Sequence, residues 1–175
     1  MLLIPAIDLR AGRCVRLYQG DFGAETHYQR SPRELLDRYR ALGASWVHVV
    51  DLDGARDGIP ANLAVIGQVA AALSIPVHMG GGIRTAEAVE AALDAGVQRC
   101  ILGTAAARDP DWAEEMFAVF SDAIILGLDA RDGMVAVAGW RETSHLPAVK
   151  FARYMAEAGC PRLIFTDISR DGMLT

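Results

Sequence analysis

Apolar residues in this chain fall into short blocks separated by amphipathic stretches, and the two alternate from end to end. The blocks Leu2–Ile7, Trp46–Val50, Pro76–Met79, Cys100–Leu102, Ala123–Leu128 and Leu163–Phe165 are apolar on nearly every position. That pattern predicts strands buried on both faces of a parallel sheet. The stretches between them carry helix punctuation. Ser31-Pro32-Arg33-Glu34 is a capping box with Pro in the first turn, and Gly43 follows the helix. Thr85 opens a helix through Ala95 before Gly96, and Asp109-Pro110 opens another through Phe120. Further helices are expected from about Asn62 to Ala72 and from Leu146 to Ala158 before Gly159. Strict β-α order implies parallel strands joined by right-handed crossovers.

The blocks also repeat. Ile7-Asp8-Leu9-Arg10-Ala11-Gly12 and Leu128-Asp129-Ala130-Arg131-Asp132-Gly133 carry Asp, Arg and Gly at one offset, each after an apolar run. Each is followed by a short hairpin strand, expected at Arg13–Tyr18 and Met134–Gly139. Val50-Asp51-Leu52-Asp53-Gly54 is echoed by Thr166-Asp167-Ile168-Ser169, with Arg170-Asp171-Gly172 answering Arg56-Asp57-Gly58. Strands one and two thus map onto five and six. That implies a four-strand unit used twice, hence an α/β fold of the TIM (β/α)8-barrel type built from two half-barrels. Here only about the first six βα units are expected, since a complete barrel takes about 200 residues or more. We expect one incomplete barrel domain over 1–175, with the first half-barrel at 1–108 and the start of the second at 109–175. An open, doubly wound six-stranded sheet is the structural alternative.

Composition narrows the setting. The 175 residues are 52% hydrophobic and 22% charged, which suits a compact α/β protein. A net charge of −5 argues against nucleic-acid binding. No apolar run has spanning length, so no membrane is expected and a cytoplasmic setting is. Cys14, Cys100 and Cys160 are far apart, without metal or redox spacing; Cys14 and Cys100 read as packing residues, and a reducing compartment is expected.

The candidate chemistry sits after the strands. Asp8 and Asp129 can supply one acid and one base on either side of a substrate, as opening a sugar ring and moving its carbonyl require. One such Asp could merely cap loop amides; two in repeated contexts are harder to explain that way. Gly80-Gly81-Gly82-Ile83-Arg84 precedes a helix, and Gly103-Thr104 follows strand four. Together they suit a phosphate, with Gly81, Gly82, Arg84, Gly103 and Thr104 as contacts, although tight βα turns use glycine anyway. Thr166 could bond a sugar oxygen, or simply favour a strand. Asp51 could bind substrate or orient a neighbour. His48 and His78 read as satisfied inward histidines. Trp140 could stack on a flat ring, close a lid or anchor its loop. No spacing suggests a metal.

Taken together, these stretches resemble the histidine-biosynthesis isomerase family, the ProFAR isomerases. The resemblance lies in Ile4–Leu9 with Gly12–Gly20 (including Gln19 and Gly20), His48–Ala55, Gly80–Arg84, Gly127–Ala130, Gly139-Trp140 and Thr166–Ile168 with Arg170–Gly172. It implies a duplicated half-barrel, no cofactor, and an Amadori rearrangement of an aminoaldose to an aminoketose. The implied substrate is a phosphoribosyl aminoimidazole carboxamide with two phosphates. By the same resemblance Asp8 is the base, Asp129 the acid and Thr166 an assistant. Gln19, Gly20 and Trp140 join the substrate site. The family continues through two more strands that carry a second phosphate site, so this chain reads as truncated before them. A complete form is expected as a monomer; open edges on strands one and six would invite self-association. Alternatives are the related imidazole-glycerol-phosphate cyclase, a dual-substrate isomerase also acting on phosphoribosylanthranilate, and a non-catalytic sugar-phosphate-binding fragment.

Overall fold

The computed structural model describes residues 1–18, 20–72 and 74–171. Six parallel strands make its wall: β1 (Ala6–Arg10), β4 (Val47–Asp51), β5 (Val77–Gly80), β6 (Arg99–Leu102), β7 (Ile124–Arg131) and β10 (Leu163–Asp167). They are hydrogen-bonded in chain order, β1-β4-β5-β6-β7-β10. A doubly wound sheet would reverse its strand order partway, so that alternative is excluded. Among the described residues no ladder joins β10 to β1, and the barrel is open there. On that flank Leu2, Leu3, Leu163 and Phe165 are exposed.

Two antiparallel extensions flank the wall. β2 (Arg13–Tyr18) and β3 (Asp21–His27) extend β1, and β8 (Met134–Val137) and β9 (Glu142–Pro147) extend β7. The helices are α1 (Pro32–Ala41), α2 (Leu52–Asp57), α3 (Leu63–Ala72), α4 (Ala86–Asp94), α5 (Thr104–Arg108), α6 (Pro110–Phe120) and α7 (Ala148–Glu157).

The strands sort their side chains by alternation. Leu9, Val49, Met79, Leu102, Leu126 and Leu128 are almost wholly buried, in one cluster with Leu36, Ile66, Val89, Phe117 and Met155 from the helices. Burying each such side chain is worth roughly 2 kcal/mol. The alternate positions Asp8, Val50, Gly80, Ile101, Gly127 and Asp129 line the barrel interior. The helix punctuation works as expected. Ser31 and Glu34 form the capping box, Thr85 accepts the Ala88 N–H and Asp109 accepts the Trp112 N–H.

Some boundaries move. β1 begins at Ala6, not Leu2, and continues past Asp8 into its hairpin; β7 likewise runs two residues past Asp129. Leu146 and Pro147 complete β9 instead of opening α7. Strands β3 and β9 and helices α2 and α5 carry no apolar periodicity. They form because neighbours supply what their sequences lack: a ladder partner for each strand and, for α2, an Asp51 cap on the Gly54 N–H.

Candidate active site

The C-terminal ends of the parallel strands enclose a pocket of about 610 Å³. Asp8, Asp129, Thr166, Gly81, Gly82, Arg84, Gly103, Thr104, Gly20 and Trp140 all line it. Gln19 lies outside the described residues. Asp51 is not in the lining.

Asp8 stands where β1 changes partners. It faces Val50 of β4 in parallel register and Val15 of β2 in antiparallel register. Half-buried there, its carboxyl is pushed up to about 6, chiefly by desolvation and then by the nearby Asp171 carboxylate; Arg16 pulls the other way. A carboxyl so tuned is mostly ionised at neutral pH yet more basic than an ordinary aspartate. Asp129 is dressed differently: the Trp140 indole N–H donates to its Oδ2 at 2.8 Å. Thr166 pairs with Asp129 across the β10–β7 ladder, which sets the two side by side.

Trp140 joins the two hairpins across the mouth. It sits at φ 67°, after Ala138 and Gly139 in the same left-handed region. Arg131 donates to its carbonyl, Arg141 to the Ala138 carbonyl, and the Ala138 N–H to the Thr104 hydroxyl. Its ring packs on Gly20, where a Cβ would lie 2.5 Å from Cε3. Gly20 is therefore required by this contact, whatever it does for a ligand.

The two glycine loops differ in cause. Gly81 and Gly82 have φ of 102° and 82°, and a Cβ would come within 2.1 Å of the Asp51 carbonyl oxygen and 2.6 Å of the Pro60 nitrogen, respectively. Packing alone demands these glycines. At Gly103 the nearest atom to a Cβ is 3.8 Å away, so its open backbone is the better cradle for an anion. Thr104 begins α5 beside it. Arg84 is exposed on the rim and packs its guanidinium over Gly58.

Asp51 requires a correction. It is fully buried, and its carboxylate accepts the backbone N–H groups of Gly54, Ala61 and Asn62 and the Asn62 side-chain amide. Those bonds occupy it as a strut between β4, α2 and α3, with no reach to a substrate. Conversely, Arg16, His48 and Asp171 line the pocket without having been chosen from sequence. Arg170-Asp171-Gly172 stood out as an echo, and that was the available signal for Asp171. His48 is half-buried on the pocket wall, and desolvation pushes its pKa down to about 4, so it is held neutral. His78 is similar, driven to about 4 by burial and nearby cations; its Nε2 lies 3.3 Å from Arg99 and its ring 4.4 Å from Trp46. Burial pushes the Cys14 and Cys100 thiols up to about 11 and about 12, as inert packing groups. Among the described residues no three or more His, Cys, Asp or Glu are placed to hold a metal ion, and no helix is long and apolar enough to cross a membrane.

Comparison with known proteins gives consistent matches. The family described as histidine biosynthesis protein matches residues 2–175. A protein of Thermoanaerobacter pseudethanolicus is 48% identical over 174 residues, covering 99% of this chain and 73% of that protein. One from Roseiflexus castenholzii is 50% identical over 175 residues, covering 100% and 74%. One from Salinibacter ruber is 52% identical over 174 residues, covering 99% and 67%. All three are named 1-(5-phosphoribosyl)-5-((5-phosphoribosylamino)methylideneamino) imidazole-4-carboxamide isomerase. With its sequential parallel wall and its pocket at the strand ends, the chain belongs to this histidine biosynthesis family.

Proposed function

We propose that the chain carries the isomerase activity for which these relatives are named, an aldose–ketose interconversion in histidine biosynthesis, and that Asp8 and Asp129 perform it. The observation that carries the reading is the pocket at the strand ends. It gathers two carboxylates from matching positions of β1 and β7, Thr166 beside one of them, and an open-backbone cradle at Gly103-Thr104.

The chemistry needs no more than a proton donor and a proton acceptor. An acid gives its proton to the ring oxygen as the C1–O bond breaks, which leaves a protonated imine. A base removes the proton from C2, giving an enol-amine. Ketonisation at C2 with protonation at C1 completes the aminoketose, and no atom is gained or lost. Asp8, with its raised proton affinity, suits the base; Asp129, oriented by Trp140, serves as acid, with Thr166 bonding a sugar oxygen. One phosphate of a two-phosphate substrate is held at Gly103 and Thr104, with Arg84 at the rim. The matching hairpins after Asp8 and Asp129, and the matching registers on β4 and β10, favour a half-barrel boundary near 108/109.

Turnover of the relatives' substrate, followed by absorbance, tests the reading. Turnover that vanishes in Asp8→Asn while the fold and ligand binding persist supports it. Undiminished turnover in Asp8→Asn sinks it.

A further inference from the structure

One buried side chain outside the pocket is bonded on every side. Asn62, immediately before α3, is 5% exposed. Its side-chain amide donates to Asp51 Oδ1 at 2.6 Å and to Asp53 Oδ2 at 3.0 Å, and its backbone N–H donates to Asp51 Oδ2 at 2.8 Å. Its Oδ1 accepts the Gly12 N–H at 2.8 Å, fifty residues away in sequence. The neighbouring Ala11 N–H donates to Asp53 Oδ2 at 2.6 Å. Both amides at the tip of the β1–β2 turn are therefore tied to one cluster.

The turn is worth tying. Ala11 and Gly12 have φ of 48° and 73°, the pair of left-handed residues that a two-residue type I′ hairpin requires. Alanine is a poor choice for that conformation, and the tethers offset the strain at the tip. The hairpin's register places Val15 opposite Asp8, with Arg16 next along the strand. A hairpin with a loose tip can slip or twist, and every β2 residue then moves relative to β1.

We propose that Asn62 is a positioning residue for Asp8: by pinning the Ala11–Gly12 turn, together with Asp53, it fixes the β2 strand and with it Arg16 relative to the Asp8 carboxylate. The inference rests on the reading of Asp8 as the reacting carboxylate, but its test does not depend on turnover. The titratable groups around Asp8 among the described residues are Arg16 and Cys14 on β2, His48 on the adjacent β4, Asp171 after β10 and, farther round the pocket, Asp129 on β7. Arg16 is the cation that favours the charged form of Asp8. Asp53 is itself ready for the task. Desolvation opposes its charge, but the Ala11 N–H, the Asn62 amide, Arg56 and Arg10 together hold its carboxyl below the usual range.

The experiment is a carboxylate-carbon NMR titration of Asp8 in the whole chain, combined with amide exchange at Gly12. In Asn62→Ser the Gly12 amide should exchange at least tenfold faster. The Asp8 titration should move upward by about half a pH unit, a threefold gain in proton affinity, as Arg16 is freed to leave. In an Arg16→Gln background, Asn62→Ser should no longer move it. If Asn62→Ser does not fold, Asp53→Ala releases the Ala11 amide and one of the two Asn62 side-chain donor bonds while Gly12 stays tied to Asn62, and Asp53→Asn, which keeps an acceptor, reports the charge effect to subtract. Faster Gly12 exchange with an unmoved Asp8 titration overturns the proposal, as does an equal shift in the Arg16→Gln background. Failure of the isomerase reading would show separately, as turnover that survives Asp8→Asn.

Discussion

The two hairpins that follow Asp8 and Asp129 are one local sequence in two settings. Both turn through a pair of left-handed residues, Ala11-Gly12 and Asp132-Gly133, and both close on an arginine, Arg10 opposite Arg13 and Arg131 opposite Met134. They are anchored differently. The first tip is tied by its N–H groups to Asn62 and Asp53; the second by its Gly133 carbonyl to the Ala148 N–H at the start of α7. Their carboxylates differ too. Asp8 is desolvated, crowded by Asp171 and raised to about 6, whereas Asp129 accepts the Trp140 indole. A repeated pattern thus delivers two aspartates to one pocket, and the surroundings, which are not repeated, divide the labour between them.

The sharpest way to break that division is to remove each charge in turn. Asp8→Asn and Asp129→Asn should each lower turnover by about 10²- to 10⁴-fold, in line with the loss of a general acid or base. Asp8→Asn should also stabilise the protein at neutral pH. Because the folded pKa of Asp8 is raised, its contribution to stability is fully present below about pH 4 and is lost as pH rises through about 6. Asparagine cannot ionise, so the variant escapes that loss, by on the order of 2 kcal/mol at pH 8. Urea denaturation of the wild type and both variants at pH 5 and pH 8 measures it. A gain in Asp129→Asn of equal size would erase the contrast.

The glycine loops offer a second contrast. Gly81→Ala forces a Cβ onto the Asp51 carbonyl at a left-handed position, and should cost roughly 3 kcal/mol or more of stability. Gly103→Ala meets nothing closer than 3.8 Å, and should keep the fold while weakening phosphate affinity several-fold. Thermal melting beside inorganic phosphate titration separates the two. A stable Gly81→Ala chain would mean that the β5–α4 loop can yield. A smaller effect is expected for Trp140→Phe, which keeps a ring against Gly20 but loses the donor to Asp129. Turnover should fall about tenfold, in line with the loss of one side-chain hydrogen bond, with substrate affinity changed less.

Much of this was legible in the sequence, for identifiable reasons. Buried parallel strands announce themselves as apolar blocks, and Ser31, Thr85 and Asp109 mark their helices through local capping chemistry. The Asp repeat located two strand ends and hence one mouth. What escaped depends on neighbours instead of local pattern. β3, read along its own sequence Asp21–His27, has no apolar run and becomes a strand only because β2 offers a ladder. Asp51 looked like a mouth residue by position, yet the chain returns at Ala61 and Asn62 to saturate it. Gly81 and Gly82 suggested an anion site, but the close Asp51 and Pro60 backbones explain them without one. Asp171 was visible only as an echo, since its proximity to Asp8 is a product of barrel curvature.

Asp171 gives the finest test of how the first aspartate is tuned. Its carboxylate is the second-largest cause of the raised proton affinity of Asp8, after desolvation. Asp171→Asn removes a like charge, so the Asp8 carboxyl should ionise more readily. The acid limb of the kcat/KM profile should then move to lower pH by about half a unit. The plateau should fall only two- to threefold, because a less basic carboxylate is a slightly poorer proton acceptor. Asp129→Asn should leave the position of that limb unchanged, since Asp129 is not among the causes of the Asp8 shift. A hundredfold loss in Asp171→Asn would redraw the comparison. The proton donor would then stand beside Asp8 on the β10 side of the pocket, and the indole-bonded Asp129 would be left to hold the substrate.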